Sequence, residues 1–207
     1  MGKSGFVTVI PMKPLRLSKS RLASHLSILQ RATLSLNLFL TVARAALNSP
    51  VDELWVFGGD RTVKCCTEEL GGHWYDDPAR DLNEALSSAF DMASERSLVP
   101  IYLPADLPFV APDDVASLVE ASDNGRKLTL APAHRDRGTN SIVVPQDSGF
   151  KPALGLRSYE KHREHARTLG IKTAICDRPG LGLDLDTYED MEACELREPG
   201  ILSRLIR

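Results

Sequence analysis

Cysteine is scarce in this 207-residue chain, and no two cysteines form a C-x-x-C pair. The four are Cys65, Cys66, Cys176 and Cys194. The adjacent Cys65 and Cys66 are poorly placed to share a metal ion or to bond to each other. The pattern therefore predicts reduced thiols, which are typical of a cytoplasmic protein.

The sequence also lacks long apolar runs and a basic excess. The apolar run at residues 7–11 is too short for the core of a signal peptide. The most apolar helix-like stretch, residues 34–47, contains Asn37, Thr41 and Arg44, which a membrane span would avoid. A net charge of −3 argues against a general nucleic-acid binder. We expect a soluble cytoplasmic protein with neither a membrane nor a nucleic-acid partner.

Short apolar runs that alternate with helical patterns are present throughout the chain. Strands are predicted at residues 6–10, 53–57, 73–75, 100–103, 127–131, 141–144 and 171–175. Helices are predicted at residues 34–47, 62–70, 82–93, 112 onward, 159–169 and 187–196. For the tail at 199–207 the alternatives are a short helix and a contact with a partner. This alternation predicts one α/β domain over residues 1–207, with a mostly parallel sheet covered on both faces.

The segment 101–108, IYLPADLP, places Asp106 between Pro104 and Pro108 directly after an apolar strand. Ligands of open α/β sheets bind beyond the carboxyl ends of the strands. A carboxylate held there by two prolines is suited to a metal or to a magnesium-bound polyphosphate. The alternative is an ordinary capped turn between a strand and a helix.

The loop after the first strand contains four cations within nine residues, Lys13, Arg16, Lys19 and Arg21. It has no glycine, which excludes a Walker loop and a Rossmann fingerprint. Arginine binds phosphate bidentately and lysine as a mobile point charge, so the loop is a candidate phosphate clamp. The alternative is a solvated basic loop.

Asp184 and Asp186 stand two residues apart near the C-terminus, so in an extended segment their side chains point the same way. Two carboxylates about 4 Å apart repel each other by several kcal/mol, and a divalent cation would reverse that sign. The alternative is that Asp186 or Thr187 only caps the following helix.

Further polar residues stand at turns between these elements. Residues 136–140 form a polar turn before a strand, Gly155 can bring backbone close to an anion, and Ser158 begins a helix whose free N–H groups favour an anion. An ordinary loop and cap is the alternative. His162 and His165 are three residues apart and have no third ligand nearby, so we expect surface histidines rather than a metal pair.

In their order along the chain these motifs resemble a known family. The motifs are IPMKPLRLSKSRL, DLNEAL, LPADLP, RGTN, a Gly-x-x-Ser followed by His, and DLDTYED, over roughly residues 6 to 195. The resemblance is to the small guanylyltransferases of deazaflavin coenzyme biosynthesis, which join GTP to 2-phospho-L-lactate or, in bacterial members, to phosphoenolpyruvate and release pyrophosphate. It implies a three-layer, mainly parallel, nucleotide-diphospho-sugar-transferase-like fold, a Mg²⁺ cofactor and a homodimer.

The resemblance also implies roles for individual residues. The aspartates expected to hold magnesium are Asp106, Asp184 and Asp186. The residues expected to contact the phosphorylated three-carbon acid are Thr139, Gly155 and Ser158. The residues expected to bind the nucleotide are Pro11, Lys13, Lys19, Arg21, Asn83 and Asp106, and those expected to act in catalysis are Lys19, Arg21 and Asp106.

The sequence departs from the family pattern at residues 154–158, where a phenylalanine and a second glycine are expected and Arg157 adds a charge. The identity of the acid substrate therefore stays open. Other nucleotidyltransferases of the same fold, acting on molybdopterin or sugar phosphates, are alternatives, although they usually carry a glycine-rich first loop. A non-catalytic GTP-binding protein and a structural oligomerising domain are two further alternatives.

Overall fold

The computed structural model describes residues 5–77, 81–135 and 137–207. The strands in these ranges are β1 (Gly5–Met12), β2 (Glu53–Gly58), β3 (His73–Tyr75), β4 (Leu98–Tyr102), β5 (Leu128–Pro132), β6 (Thr139–Val143) and β7 (Thr173–Ile175). These seven described strands form one sheet in the order β3-β2-β1-β4-β6-β5-β7. Asp136, part of the predicted polar turn, lies outside the described residues.

Among the described strands, β6 alone runs against the others. It pairs antiparallel with β4, where Tyr102 faces Ile142, and antiparallel with β5 on its other side. All other pairings in the sheet are parallel. The carboxyl ends of β1, β2 and β4 therefore meet the amino end of β6 at one edge, which brings Thr139 beside the turn that follows Tyr102.

Helices cover both faces of the sheet. One face carries α1 (Ile28–Leu47), α2 (Arg61–Glu69) and α4 (Pro112–Ala121), and the other carries α3 (Leu82–Glu95) and α5 (Ser158–Thr168). Side chains of β1 alternate between the two cores, since Val7 and Val9 pack with α3 whereas Ile10 packs with α1. This three-layer α/β arrangement with a mainly parallel sheet confirms the predicted fold class.

A third apolar cluster lies on the outer side of α1. There α6 (Tyr188–Arg197) and the short tail helix α7 (Ile201–Leu205) pack against Leu34 and Leu38. Leu185 is fully buried in the same cluster. Its burial anchors the extended segment that carries the two neighbouring aspartates.

Two differences from the predicted elements have local causes. Helix α1 begins at Ile28, before the apolar stretch, because Ser27 and Gln30 form a capping box with hydrogen bonds of 3.2 and 3.0 Å. The basic loop is not irregular throughout, since it contains short 3₁₀ helices at Leu15–Leu17 and Ser20–Leu22. Both features depend on polar hydrogen bonds, which hydrophobic periodicity does not report.

All four cysteines lie in the described part of the chain and are free thiols. Burial raises the pKa of Cys176 to about 11 and that of Cys194 to about 12, so both remain protonated near neutral pH. No helix among the described residues combines the length and the apolar character that a membrane crossing requires.

Candidate active site

The carboxyl edge of the sheet opens into a cleft made of two connected cavities. The larger cavity, about 750 Å³, lies between the basic loop and the turn after β4. The smaller cavity, about 460 Å³, lies between the start of β6 and the loop before α5. The residues that line both cavities are Leu82, Tyr102, Asp184 and Asp186. Because ligands of α/β sheets bind at such an edge, this cleft is the candidate active site.

The larger cavity is lined by most of the residues predicted to bind a nucleotide. They are Pro11, Lys13, Lys19 and Asp106. Gly58 lies in the same wall with φ of +80°, and a Cβ there would come within 2.6 Å of the Met12 carbonyl oxygen. Only glycine allows this close approach of β1 and β2, so the end of β2 can form a flat wall of the cavity.

Lys19 lies at the centre of the basic loop with its side chain turned inward. Its backbone is left-handed, with φ of 51° and ψ of 41°, which costs a non-glycine residue about 1 kcal/mol. The side chain is 7% exposed, and its Nζ lies 2.8 Å from Asp106 Oδ2 and 3.6 Å from Asp186 Oδ1. Burial alone lowers the pKa of Lys19, but the carboxylates of Asp106, Asp186 and Asp184 outweigh it and raise the pKa above its usual value. Lys19 is therefore a permanent cation between two loops.

Helix α1 holds the basic loop in this position. The buried Arg31 donates from Nη1 to the carbonyl oxygen of Ser18, 3.1 Å away, one residue before Lys19. At the start of the loop, the N–H of Leu15 donates to Asp60 Oδ2 at 3.0 Å. The conformation of Lys19 thus depends on contacts that lie outside the basic motif.

The segment around Leu185 brings Asp184 and Asp186 to Asp106. The N–H of Leu185 donates to the Asp106 carbonyl oxygen at 3.0 Å. Since Leu185 points into the apolar cluster, the aspartates on either side of it point into the cleft. The three predicted metal aspartates therefore line one cavity, although they come from distant parts of the sequence.

The two aspartates of this segment differ in environment. Burial, together with the nearby Asp106, raises the pKa of Asp184, whose only hydrogen bond from a described side chain is a long one from Asn140 Nδ2 at 3.4 Å. Asp186 accepts from Arg21 Nη1 at 2.6 Å in addition to its pair with Lys19. Asp184 is thus the carboxylate that would gain most from a further cation.

The donor set suits magnesium chemically, because carboxylate oxygens are the ligands that hard divalent cations take. However, no group of three or more His, Cys, Asp or Glu side chains in the described ranges is arranged to hold a metal ion as it stands. Lys19 lies within 4 Å of both Asp106 and Asp186. Binding of one cation by all three aspartates would require this ammonium group to turn away, so the metal role stays a prediction.

The smaller cavity contains the residues predicted to bind the acid, Thr139, Gly155 and Ser158. Thr139 and Ser158 are almost fully buried, and their hydroxyl oxygens are 3.4 Å apart. Gly155 has φ of +121° and open space where a Cβ would lie. This corner therefore presents two hydroxyl groups and an accessible backbone, which is suitable for an anion.

Arg21 and Asn83 were both predicted to bind the nucleotide, but neither is among the residues that line the larger cavity. Arg21 lines the smaller cavity, and its side chain is 69% exposed beside Asp186. Asn83 uses both ends of its amide on Leu154, accepting from its N–H at 2.6 Å and donating to its carbonyl oxygen at 3.3 Å. In this structure Asn83 holds the loop of the smaller cavity, and its contact with a nucleoside stays a prediction.

His162 corrects the expectation of a surface histidine, because it is fully buried behind the smaller cavity. Sequence reasoning also gave no functional role to Tyr102, which lines both cavities, and took Asp76 and Asp77, which line the larger one, for turn residues. A signal for His162 is its spacing, since Ser158, His162 and Ala166 recur every fourth residue and form the buried face of α5.

The fold defines a class before any sequence relative is considered. A protein of Desulfovibrio desulfuricans G20 described as a nucleotide-diphospho-sugar transferase superposes with a TM-score of 0.79 at 16% identity, covering 100% of this chain and 98% of its own. A nucleotidyl transferase of Methanothermobacter superposes with a TM-score of 0.65 at 15% identity, covering 97% and 98%. The fold is thus that of nucleotidyltransferases.

Sequence similarity narrows this class to one family. The family model of the CofC-like guanylyl transferases matches residues 6–200, and the chain belongs to this family. It is 31% identical to a phosphoenolpyruvate guanylyltransferase of Rubrobacter xylanophilus, over 90% of this chain and 92% of the relative. It is 33% identical to another from Sphaerobacter thermophilus, over 90% of each chain. The protein is a nucleotidyltransferase of the guanylyl-transferring kind.

Proposed function

We propose that this protein transfers the guanylyl group of GTP to phosphoenolpyruvate and releases pyrophosphate. The observation that carries the proposal is the shared wall of the two cavities, where Asp184 and Asp186 face a cation-lined side and a hydroxyl-lined side. A nucleoside triphosphate in the larger cavity and the phosphate group of the acid substrate in the smaller cavity would meet at this wall. The names of the relatives support phosphoenolpyruvate as the acid, with 2-phospho-L-lactate as the alternative.

The proposed reaction is a direct displacement at phosphorus. An oxygen of the acid's phosphate attacks the α-phosphorus of GTP, a new P–O bond forms, and the bond to the β-phosphate oxygen breaks. Pyrophosphate leaves with that electron pair, so no covalent enzyme intermediate is needed. Because the attacking oxygen is already anionic, the reaction needs no strong general base, and position and charge neutralisation supply the catalysis.

The cations of the basic loop can neutralise the negative charge of the substrate phosphates. Lys19 is held at the aspartate cluster, from which it can reach the phosphates of a nucleotide in the larger cavity, and the exposed Lys13 lines the same cavity. Arg21 lies on the acid side and can stabilise charge where the two substrates meet. Once Lys19 has turned from the aspartates towards the phosphates, magnesium held by Asp106, Asp184 and Asp186 would further neutralise the phosphates and favour in-line attack.

We propose that the smaller cavity binds an anionic group of the acid through hydroxyl groups and backbone. Thr139 and Ser158 supply the hydroxyl groups, and the exposed Gly155 allows close approach of the chain. Arg157, the departure from the family pattern, pairs with Glu160 through Nε at 2.8 Å and has an exposed side chain. Its charge is thus partly neutralised by Glu160 of its own helix, and Arg157 does not line the smaller cavity.

A substrate panel tests the proposal. The full chain is incubated with magnesium and each of GTP, ATP, CTP and UTP, against phosphoenolpyruvate, 2-phospho-L-lactate and 3-phosphoglycerate. Pyrophosphate is measured, and the product is identified by mass spectrometry. We expect pyrophosphate and a guanylylated acid with GTP and phosphoenolpyruvate, and a loss of both on chelation of magnesium. Nucleotide binding without pyrophosphate from any acid would overturn the proposal and indicate a binding protein.

Asp106→Asn tests the centre of the site. We expect pyrophosphate release to fall about 100-fold or more, because the neutral amide no longer pairs with Lys19 or serves as an anionic ligand. Asp113→Asn is the matched control, since Asp113 is exposed in the first turn of α4. Both variants are compared with the original chain by thermal unfolding. An Asp106→Asn protein with undiminished release would remove this carboxylate from the mechanism.

We further propose that the enzyme works in the cytoplasm as a homodimer and supplies deazaflavin coenzyme biosynthesis. The free thiols support the cytoplasmic location. The dimer and the pathway are what the resemblance of the sequence motifs to the family implies. Light scattering coupled to gel filtration tests the dimer, for which a mass near twice 22.7 kDa is expected. A monomeric mass at assay concentration would contradict it.

A further inference from the structure

His162 lies directly behind the acid side of the cleft and contacts two of its parts. Its Nδ1 lies 2.9 Å from Thr139 Oγ1, and its Nε2 lies 2.8 Å from the backbone nitrogen of Ala153. Thr139 lines the smaller cavity, and Ala153 precedes the loop that completes it. The imidazole therefore bridges the two walls of the acid site.

The Ala153 contact determines the tautomer of the ring. A backbone N–H can only donate, so Nε2 must accept and carry no proton. In a neutral imidazole the proton then lies on Nδ1, which donates to Thr139 Oγ1. A second proton on Nε2 would face the Ala153 N–H, so the cationic form does not fit this position.

The tautomer in turn constrains the hydroxyl group of Thr139. Its oxygen accepts from His162 Nδ1 and, at a longer 3.4 Å, from Ser158 Oγ. Because the Nδ1 proton is directed at this oxygen, the hydroxyl proton of Thr139 cannot point at the ring and is left to donate elsewhere. Since Thr139 lines the smaller cavity, the open direction for this proton is the cavity itself.

We infer that His162 is a positioning residue that fixes the Thr139 hydroxyl group as a hydrogen-bond donor to an anionic oxygen of the acid substrate. The inference rests on the proposed function for its ligand, a small phosphorylated acid. Carboxylate and phosphate oxygens only accept hydrogen bonds, so a hydroxyl group already committed to donating binds them without first reorienting. The surroundings keep the ring neutral, since burial, together with the nearby His165 and Lys161, lowers its pKa to about 4.

The tautomer is tested first, on the full chain without substrates. Long-range ¹⁵N–¹H spectra distinguish a protonated ring nitrogen from an unprotonated one. We expect the His162 signals of a neutral ring with the proton on Nδ1 across pH 6 to 8, assigned by their loss in His162→Gln. A proton on Nε2, or an imidazolium in this range, would overturn the inference whether or not the protein is an enzyme.

Two substitutions then separate the two contacts of the ring. In His162→Asn the amide nitrogen can replace Nδ1 as donor to Thr139, whereas in His162→Gln the amide oxygen can replace Nε2 as acceptor for Ala153. We expect His162→Gln to raise the KM for phosphoenolpyruvate about tenfold, with kcat and the KM for GTP within about twofold. His162→Asn should raise it about threefold or less, and the control His165→Gln should leave it unchanged. Equal effects of the two His162 variants would contradict the inference.

A double-mutant cycle tests whether His162 acts through Thr139. Thr139→Val removes the hydroxyl group at nearly constant shape, and we expect His162→Gln to add less than twofold to KM in that background. A full tenfold addition would show that His162 acts elsewhere. If the original chain guanylylates no acid, the proposed function fails. The same variants are then compared by calorimetric titration with phosphoenolpyruvate, where equal affinities would overturn the inference.

Discussion

Tyr102 is the residue at which the two cavities and the sheet meet. It ends β4, is 5% exposed and lines both cavities. Burial, together with the carboxylates of Asp106 and Asp184, raises its pKa well above the usual range. The phenol group therefore stays protonated near neutral pH, at the junction of the two cavities.

At the residue scale we predict that Tyr102→Phe lowers kcat about tenfold or more and leaves the melting temperature nearly unchanged. The ring still fills its place in the core, but one donor at the junction of the substrates is lost. Steady-state pyrophosphate release measures the effect. Tyr75→Phe is the control, because its hydroxyl group accepts only a weak 3.3 Å hydrogen bond from Arg96. An unchanged kcat in Tyr102→Phe would mean that the hydroxyl group contacts no reacting group.

At the scale of the element, the start of α6 shows how a cap positions the site. Asp190 is 1% exposed and accepts at Oδ2 from the N–H groups of Asp186 and Thr187, at 2.9 and 2.7 Å. Its other oxygen pairs with Arg135, and Thr187 caps the helix in return. The sequence analysis left two alternatives for Asp186, a helix cap or a metal ligand. In the structure the cap is formed by Thr187 and Asp190. Asp184 and Asp186 are left to face the cleft.

We predict that Asp190→Asn lowers the free energy of unfolding by about 2 kcal/mol, because a buried carboxylate that accepts several hydrogen bonds loses its charge and part of its acceptors. Activity should fall as well, since the Asp184–Asp186 segment loosens. Chemical denaturation measures the stability. Asp113→Asn, which changes an exposed carboxylate in the first turn of α4, should stay within about 0.5 kcal/mol. Equal stabilities of the two variants would contradict this role of the cap.

At the scale of the whole molecule, the reversed direction of β6 is what places the two cavities side by side. Were β6 parallel to β4, Thr139 would lie at the opposite edge of the sheet from Asp106. The antiparallel pairing instead puts the start of β6 beside the end of β4. The switch between parallel and antiparallel pairing thus creates the smaller cavity next to the larger one.

The buried His162 also makes global stability depend on pH. Its pKa is lowered to about 4 in the folded chain, against 6.5 for an exposed histidine, so between these values the unfolded chain binds more protons. The stabilisation that the neutral His162 contributes is therefore complete above pH 6.5. It is lost as the pH falls towards 4, by on the order of 3 kcal/mol. Denaturation at several pH values should show a smaller loss in His162→Gln than in the original chain. A pH dependence that His162→Gln leaves unchanged would contradict it.

Much of this fold could be predicted because it depends on local patterns. The runs that became β1, β2 and β4 are continuous and apolar, which is typical of strands buried on both faces. Asp81, one residue before α3, caps this helix by accepting from the N–H groups of Asn83 and Glu84 at 2.8 and 3.1 Å. Even the place of Asp106 at a strand end followed from its neighbouring prolines. Each of these signals lies within a few residues of the feature that it predicts.

What the sequence alone determined is therefore the order of elements, the fold class and the chemical types of side chain at the loop ends. The tertiary structure decided which of those ends meet. It paired Lys19 with Asp106 and Asp186, placed Arg21 at the smaller cavity, bonded Asn83 to the loop at Leu154 and buried His162 behind Thr139. The physical reason is that such pairings depend on strand order and direction, and those are set by packing of the whole core rather than by any local stretch of sequence.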